Sequence, residues 1–234
     1  SQSALSDSMP QQTLKRAAAL RYWICENAKS TRAYLKRVGE SHPLNTTIQD
    51  MQLQELPREV HKKGDHLGGF DAKPLLAAAL QGHNIGLVSE AGMPAIADPG
   101  SSVVRAAHEL GIPVVPLVGP VSLLLALAAS GLNGQNFAFV GYVPSEPSER
   151  VKRIKELESL ALKSGQTQIF IETPYRNTAL LQSLLQTLQT NTRLATSSGL
   201  TLATACTHSQ TVKHWKHSGW AWDNATPTVF ALGR

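Results

Sequence analysis

Along the chain, short unbroken apolar runs alternate with stretches in which apolar residues return every three or four positions. The first pattern predicts buried strands and the second predicts helices with one apolar side. Leu14–Leu20 reads as a helix leading into a short buried strand at Tyr22–Cys25. Lys29–Val38 sets Tyr34, Leu35 and Val38 on one side and Lys and Arg on the other, an amphipathic helix. Ser41–Thr47 is turn-like. Leu75–Leu80 predicts a helix closed by Gly82, Ile85–Val88 a buried strand, Val103–Leu110 a helix ending at Gly111, and Pro113–Leu117 the next strand. Helices alternating with short β-branched strands predict a mostly parallel sheet with helices on both faces. Gly119-Pro120 then interrupts the pattern, so the expected domains are 1–119 and 120–234. Beyond the break come an Ala/Leu-rich helix, Ser122–Ser130, stopped by Gly131, a strand at Ala138–Tyr142 and a charged helix at Glu149–Leu162. Gln168–Glu172 predicts a strand and Thr178–Leu188 a helix. Arg193–Ser197, Gln210–Val212 and Thr228–Leu232 look like strands of a mixed sheet. The fold class expected is α/β, in two domains.

Composition narrows the picture only a little. The 234 residues are 42% hydrophobic and 17% charged, which excludes disorder over most of the length. The net charge of +5 suits an anionic partner without requiring one. The surplus is uneven, with 12 Lys/Arg against 11 Asp/Glu in residues 1–118 and 10 against 6 beyond. Two cysteines, Cys25 and Cys206, make neither a disulfide framework nor a metal-ligand spacing, and are expected to be buried in a reducing compartment. The first dozen residues are polar, unlike a signal peptide, and the longest apolar run, Val121–Ala129, is too short to span a bilayer. A cytoplasmic protein with no membrane partner is expected.

The segment from Ser89 to Leu132 holds the candidate chemistry. Ser89–Gly100 follows a predicted strand and carries Gly92, Pro94, Pro99 and Gly100. In open α/β sheets, ligands bind at loops on the carboxyl ends of the strands. Gly92 permits close approach of backbone to a ligand, and the prolines stiffen the loop. Ser101 or Ser102 is placed to cap the next helix, and Ser122, in Gly119-Pro120-Val121-Ser122, to cap the one after. A proline-rich turn with no ligand accounts at least as well for the first loop alone, and a capped helix after a tight turn accounts for the second. No Gly-x-Gly-x-Gly segment follows a strand, which argues against the commoner Rossmann-type methyltransferases and dinucleotide enzymes. His208, His214 and His217 lack metal-ligand spacing and read as surface residues, so no metal is expected. Trp215, Trp220 and Trp222 read as packing around the C-terminal strands, with stacking on bases as the alternative.

These motifs resemble the tetrapyrrole methylase superfamily, and within it the branch of ribosomal RNA small subunit methyltransferase I. That branch carries Ser-Asp-Ala-Gly-Thr-Pro and Asp-Pro-Gly, similar to Ser89-Glu90-Ala91-Gly92-Met93-Pro94 and Asp98-Pro99-Gly100 here. Its Pro-Gly-Pro-Ser-Ala and Ser-Gly-Leu resemble Val118-Gly119-Pro120-Val121-Ser122 and Ser130-Gly131-Leu132. Phe139–Pro144 and Glu172-Thr173-Pro174-Tyr175-Arg176 resemble its next two motifs. The resemblance implies two α/β domains with S-adenosyl-L-methionine in a cleft between them. It sets Gly92, Met93, Pro94 and Ile96 of the first loop, Val121 and Ser122 of the second, and Thr173, Leu200 and Pro227 of the C-terminal domain against that cofactor. It also implies a homodimer and an RNA or small-ribosomal-subunit partner.

Three departures accompany the resemblance. The family opens with a strand and a loop that help hold the cofactor, whereas this chain starts with what looks like the following segment. Its Glu-Asp-Thr-Arg appears here as Glu26-Asn27-Ala28-Lys29, and its His-x-x-x-Glu as His61-Lys62-Lys63-Gly64-Asp65. An acidic-basic motif is replaced by Ser198-Gly199-Leu200-Thr201-Leu202. For the acceptor, Lys29, His61, Asp65 and Arg176 are the candidate contacts. His61 and Asp65 read equally well as members of a solvated loop. A ribose hydroxyl profits from a general base, for which Glu172 is the first candidate and Asp98 the second. Glu172 serves equally well as a structural carboxylate. The expected function is ribose 2′-O-methylation of small-subunit ribosomal RNA. A small-molecule, tetrapyrrole-like methyltransferase and a non-catalytic RNA- or nucleotide-binding relative are the alternatives.

Overall fold

The computed structural model describes residues 3–219 and 223–234. The chain divides into two compact units, Ser1–Pro120 and Val121–Arg234. The first contains α1 (Gln11–Ala18), β1 (Tyr22–Cys25), α2 (Ala28–Ser41), β2 (Gln52–Glu55), α3 (Arg58–Lys63), α4 (Ala77–Leu80), β3 (Ile85–Val88) and α5 (Ser101–Glu109). Its sheet has the order β2-β1-β3, all parallel. Central β1 is apolar throughout because both of its faces are covered. Trp23 packs with Leu14, Ala17, Ala18, Leu35 and Val38 of α1 and α2. Its neighbour Ile24 points the other way, to Leu76, Val103, Ala106 and Ala107. Gly86 of β3 lies opposite Trp23, and a Cβ there would come within 2.5 Å of the indole ring.

Pro113–Leu117 does not form the expected strand. It makes no ladder hydrogen bonds among the described residues, and Val114 and Val115 are 39% and 63% exposed. Two of its five residues are prolines, which cannot donate to a ladder, and among the described residues no strand pairs with it.

The second unit contains α6 (Ser122–Ser130), β4 (Phe137–Tyr142), α7 (Pro147–Ser164), β5 (Thr167–Ile171), α8 (Asn177–Thr187), β6 (Arg193–Ser198), β7 (Cys206–Thr211), α9 (Val212–His217) and β8 (Thr228–Gly233). Its mixed sheet runs β4-β5-β8-β6-β7, with only β4 and β5 parallel. Alternation along the strands builds two cores. Phe170, Phe230 and Leu232 face α7, α8 and α9. Ile169, Val229 and Ala231 face Leu123, Ala126 and Leu127 of α6. The last β7 residue, Thr211, caps α9 by accepting the His214 N–H, so the strand expected through Val212 stops one residue earlier. Trp215 is buried and its Nε1 donates to the Leu194 carbonyl at 2.8 Å, which fits packing; Trp220 and Trp222 lie outside the described residues. Cys25 is buried, but Cys206 is exposed at the start of edge strand β7, 3.0 Å from His208 Nε2, because an edge strand has no neighbour to cover it.

Candidate functional site

In the first unit, the carboxyl ends of three parallel strands meet the start of α2. Asn27, just after β1, has extended backbone and its Oδ1 accepts the N–H groups of Lys29 and Ser30 at 2.9 and 3.0 Å. It is the N-cap of α2, a role in which Asn serves as well as Asp. The change from the family's carboxylate therefore leaves the helix start intact. Glu55, ending β2, accepts the Ala28 N–H at 2.6 Å. Glu26 accepts the Glu90 N–H at 3.1 Å, and Glu90 in turn is bonded to the Ser30 hydroxyl.

The Ser89–Gly100 loop leaves β3 at this edge. Ala95 and Ala97 have φ of 65° and 64°, in the left-handed region that penalises a Cβ by about 1–2 kcal/mol. Two bonds hold this shape, Ile96 N–H to the Met93 carbonyl at 3.1 Å and Ala95 N–H to the Pro99 carbonyl at 3.2 Å. The result is a loop that presents Ile96, 46% exposed, with Met93 and Pro94 half-buried beside it. Gly92 has φ 70°, and a Cβ on it would lie 4.0 Å from the Asp98 carboxylate. Strained backbone of this kind is retained where its surroundings over-determine it, commonly at ligand sites. Burial pushes the Asp98 carboxyl up to about 6, helped by the negative charges of Glu26 and Glu90 and opposed by a hydrogen bond from Ser89.

Asp65 is not in a solvated loop. It is 5% exposed, and its carboxylate accepts from Gly100, Ser101 and Ser102 at the start of α5. Ser101 and Ser102 thus do not cap α5 themselves; they lie inside its first turn and donate to Asp65. His61 is exposed with Nε2 3.1 Å from the Leu56 carbonyl, and Lys29 is exposed on the first turn of α2. The side chains of Lys62 and Lys63 lie outside the described residues.

In the second unit, three segments picked out from sequence meet at one end of the mixed sheet. Ser198, ending β6, pairs with Thr228, starting β8, and their hydroxyls lie 2.9 Å apart. The Gly199 N–H donates to the Pro227 carbonyl at 3.1 Å, which brings Leu200 and Pro227 to the same corner. Asn177 Nδ2 donates to the Thr226 carbonyl at 2.9 Å, joining the turn after β5 to that corner. Glu172 sits in this turn with a fully enclosed side chain. Its Oε1 accepts from Thr173 N–H at 2.7 Å and from Arg176 Nε at 3.1 Å, and Oε2 has no partner among the described residues. A carboxylate so enclosed and paired suits the structural role, since a general base must reach the proton it removes. Val121 and Leu200 pack against one apolar cluster, and Val121 is the N-cap of α6, with no side-chain cap. Ser122, expected to supply that cap, is instead the first helical residue and is exposed.

Sequence reasoning missed three contributors. Asn27 had a legible signal, an Asn directly before a helix. The carboxylates of Glu26 and Glu90 had none, because only folding brings residues of two strand ends together.

The sequence profile of the Tetrapyrrole (Corrin/Porphyrin) Methylases matches residues 11–217. The chain is 50% identical over 64 residues to ribosomal RNA small subunit methyltransferase I of Escherichia coli O157:H7, 27% of this chain and 22% of that protein. It is 35% identical over 115 residues to the protein of that name from Mesorhizobium japonicum, 49% of this chain and 33% of the relative. The matched stretches therefore span about a fifth to a third of those relatives. In three dimensions, the methyltransferase CobJ is similar with a TM-score of 0.56 and 17% identity, over 97% of this chain and 87% of that one.

Proposed function

The chain belongs to the tetrapyrrole (corrin/porphyrin) methylases, and from this premise we propose that it transfers the methyl group of S-adenosyl-L-methionine to a ribose 2′-hydroxyl of small-subunit ribosomal RNA. The observation that carries the proposal is the strained Ser89–Gly100 loop, with exposed Ile96 at its tip and Glu26, Glu90 and Asp98 about its base. An apolar side chain beside several carboxylates fits a ligand with a flat ring at one end and positive charge at the other. When bound, the cofactor supplies a methyl group activated on a cationic sulfur. Gly92, Met93, Pro94 and Ile96 would hold it from this loop. Val121, Ser122, Thr173, Leu200 and Pro227 are the contacts proposed from the second unit.

Asp98 is the base we assign, because its carboxyl is half-buried and raised to about 6, near the range in which proton transfer is efficient at neutral pH. Its carboxylate would take the proton of the attacking hydroxyl. Lys29 and Arg176 would meet phosphates, contacts that orient an RNA without reading its sequence. The names of the relatives at 50% and 35% identity support RNA as the acceptor. One observation favours a small-molecule acceptor instead. The corner at Ser198–Leu202 carries no charged residue, and Leu202 there is 50% exposed.

Transfer of labelled methyl groups to assembled small subunits and to naked ribosomal RNA, at two salt concentrations, distinguishes the two. An RNA acceptor predicts transfer that falls steeply with salt, and neutralising Lys29 should flatten the salt slope by about one unit. Transfer to neither RNA, with S-adenosylhomocysteine binding intact, would move the reading to the small acceptor.

A cytoplasmic homodimer is part of the same proposal. Leu124 and Leu125 of α6 are 49% and 41% exposed and offer apolar surface for a second copy. Light scattering at micromolar concentration should give twice the mass of the 25.2 kDa chain, and a monomer would contradict it. Among the described residues, no helix is long and apolar enough to cross a membrane.

A further inference from the structure

We propose that Asp65 is the positioning residue of the Ser89–Gly100 loop, holding it in the conformation that receives the methyl donor. The inference rests on the reading of that loop as the donor site. Asp65 lies 35 to 37 residues before its partners, after the left-handed Gly64 that ends α3. Its Oδ2 accepts from the N–H groups of Gly100 and Ser102 at 2.9 and 3.0 Å and from the Ser102 hydroxyl at 2.5 Å. Its Oδ1 accepts from the Ser101 hydroxyl at 2.8 Å. Two of these donors are amides at the α5 N-terminus, where a negative charge is also favoured by the helix dipole.

All four donors belong to three consecutive residues at the base of the loop. From there the constraint passes upward through backbone alone. Gly100 has φ 140°, and a Cβ on it would stand 3.0 Å from the Ala95 nitrogen, so the two ends of the 95–100 half of the loop are in near contact. Ala95 N–H closes the ring onto the Pro99 carbonyl. Between these points lie Ile96, left-handed Ala97 and Asp98. The left-handed alanines are unfavourable by themselves and persist only while both ends of the loop are fixed. Asp65 fixes one of those ends with a charge. Burial alone would raise its pKa, but the hydrogen bonds from Ser102, Ser101 and Gly100 outweigh this and bring it to about 2, so the lock stays closed at any working pH.

Asp65→Asn preserves size while removing the charge and turning an amide donor toward groups that are themselves donors. Calorimetry with S-adenosylhomocysteine, at a temperature where circular dichroism shows the variant folded, should give an affinity lower by about tenfold or more, the loss of one or two charge-assisted hydrogen bonds. Hydrogen exchange should accelerate at residues 95–102 and stay unchanged in β1. Leu76→Ala, which opens the core beneath α5, should lower the melting temperature yet leave affinity within about twofold. An Asp65→Asn affinity equal to wild type, or exchange that rises uniformly across the first unit, would overturn the proposal. If Asp65→Asn does not fold, Ser102→Ala removes one donor and should give the same pattern at about threefold. If the wild-type protein does not bind S-adenosylhomocysteine, the donor-site reading fails. The exchange pattern then decides the lock by itself.

Discussion

Asp98→Asn should lower methyl transfer by about 10²–10⁴-fold at pH 7.5, the usual contribution of a general base, while S-adenosylhomocysteine affinity stays within a few-fold. Wild-type turnover should rise with pH through about 6, where the Asp98 carboxyl ionises, and this limb should vanish in the variant. Stability should move the other way. The folded-state pKa is raised above the ordinary value of 3.8, so the folded protein holds the Asp98 proton more tightly than the unfolded chain. The stability that this provides is complete below about pH 4 and is lost as pH rises to about 6. A shift of this size is worth about 3 kcal/mol in a fully enclosed site, and screening of the half-buried carboxyl reduces it to about 1–2 kcal/mol. Asp98→Asn should therefore be more stable than wild type at pH 7 by that amount. At pH 4 the two should melt together. A variant with wild-type turnover and an unchanged acid limb would remove Asp98 from the chemistry.

Phe230→Ala should cost the second unit about 3–5 kcal/mol. Phe230 is fully buried in the centre of β8, and its ring stacks on Phe170 at 5.8 Å with an interplanar angle of 4°. Both rings face α7, α8 and α9, so truncation opens a cavity that a five-stranded sheet cannot close by shifting one strand. Equilibrium denaturation followed by hydrogen exchange should show the loss in β5, β6 and β8. Leu35→Ala should do the same in the first unit, where Leu35 is fully buried against α1 and β1. A loss below about 1 kcal/mol for Phe230→Ala would mean that the mixed sheet does not depend on this layer.

Most elements were legible because their periodicity and their burial have the same cause. The apolar side of Lys29–Val38 is the side that packs, and unbroken Tyr22–Cys25 is apolar because β1 is covered twice. Pro113–Leu117 has the composition of a strand, but a strand also needs a neighbour, and composition does not report one. The glycines and prolines of Ser89–Gly100 marked the loop, and the order of motifs marked the family. What they could not mark is which residue secures the loop. Asp65 looked like part of a charged, solvated segment because its partners lie more than thirty residues away in sequence. The expected serine caps failed for a related reason. Asp65 had already taken the start of α5, and α6 begins at an extended Val121 without any side-chain cap.

The two borders of the first sheet differ in a way that bears on handling this protein. Along β2 the border is guarded by Gln52, Gln54 and Glu55, polar side chains that discourage a foreign strand. Along β3 the sequence is Ile-Gly-Leu-Val, without a charge, and among the described residues no strand lies on its outer side. The solvent-facing valines of 113–118 add adhesive surface to the same unit. An uncharged border strand without a pairing partner is a template on which further chains can pair, layer upon layer. Concentrated samples should therefore lose material to β-rich aggregate that starts at this border. Ile85, Leu87 and Val88 pack on the two cores of this unit and Gly86 faces Trp23, so β3 has no room for a lysine. Exposed Val115 or Val118 is the place for one that keeps the protein in solution.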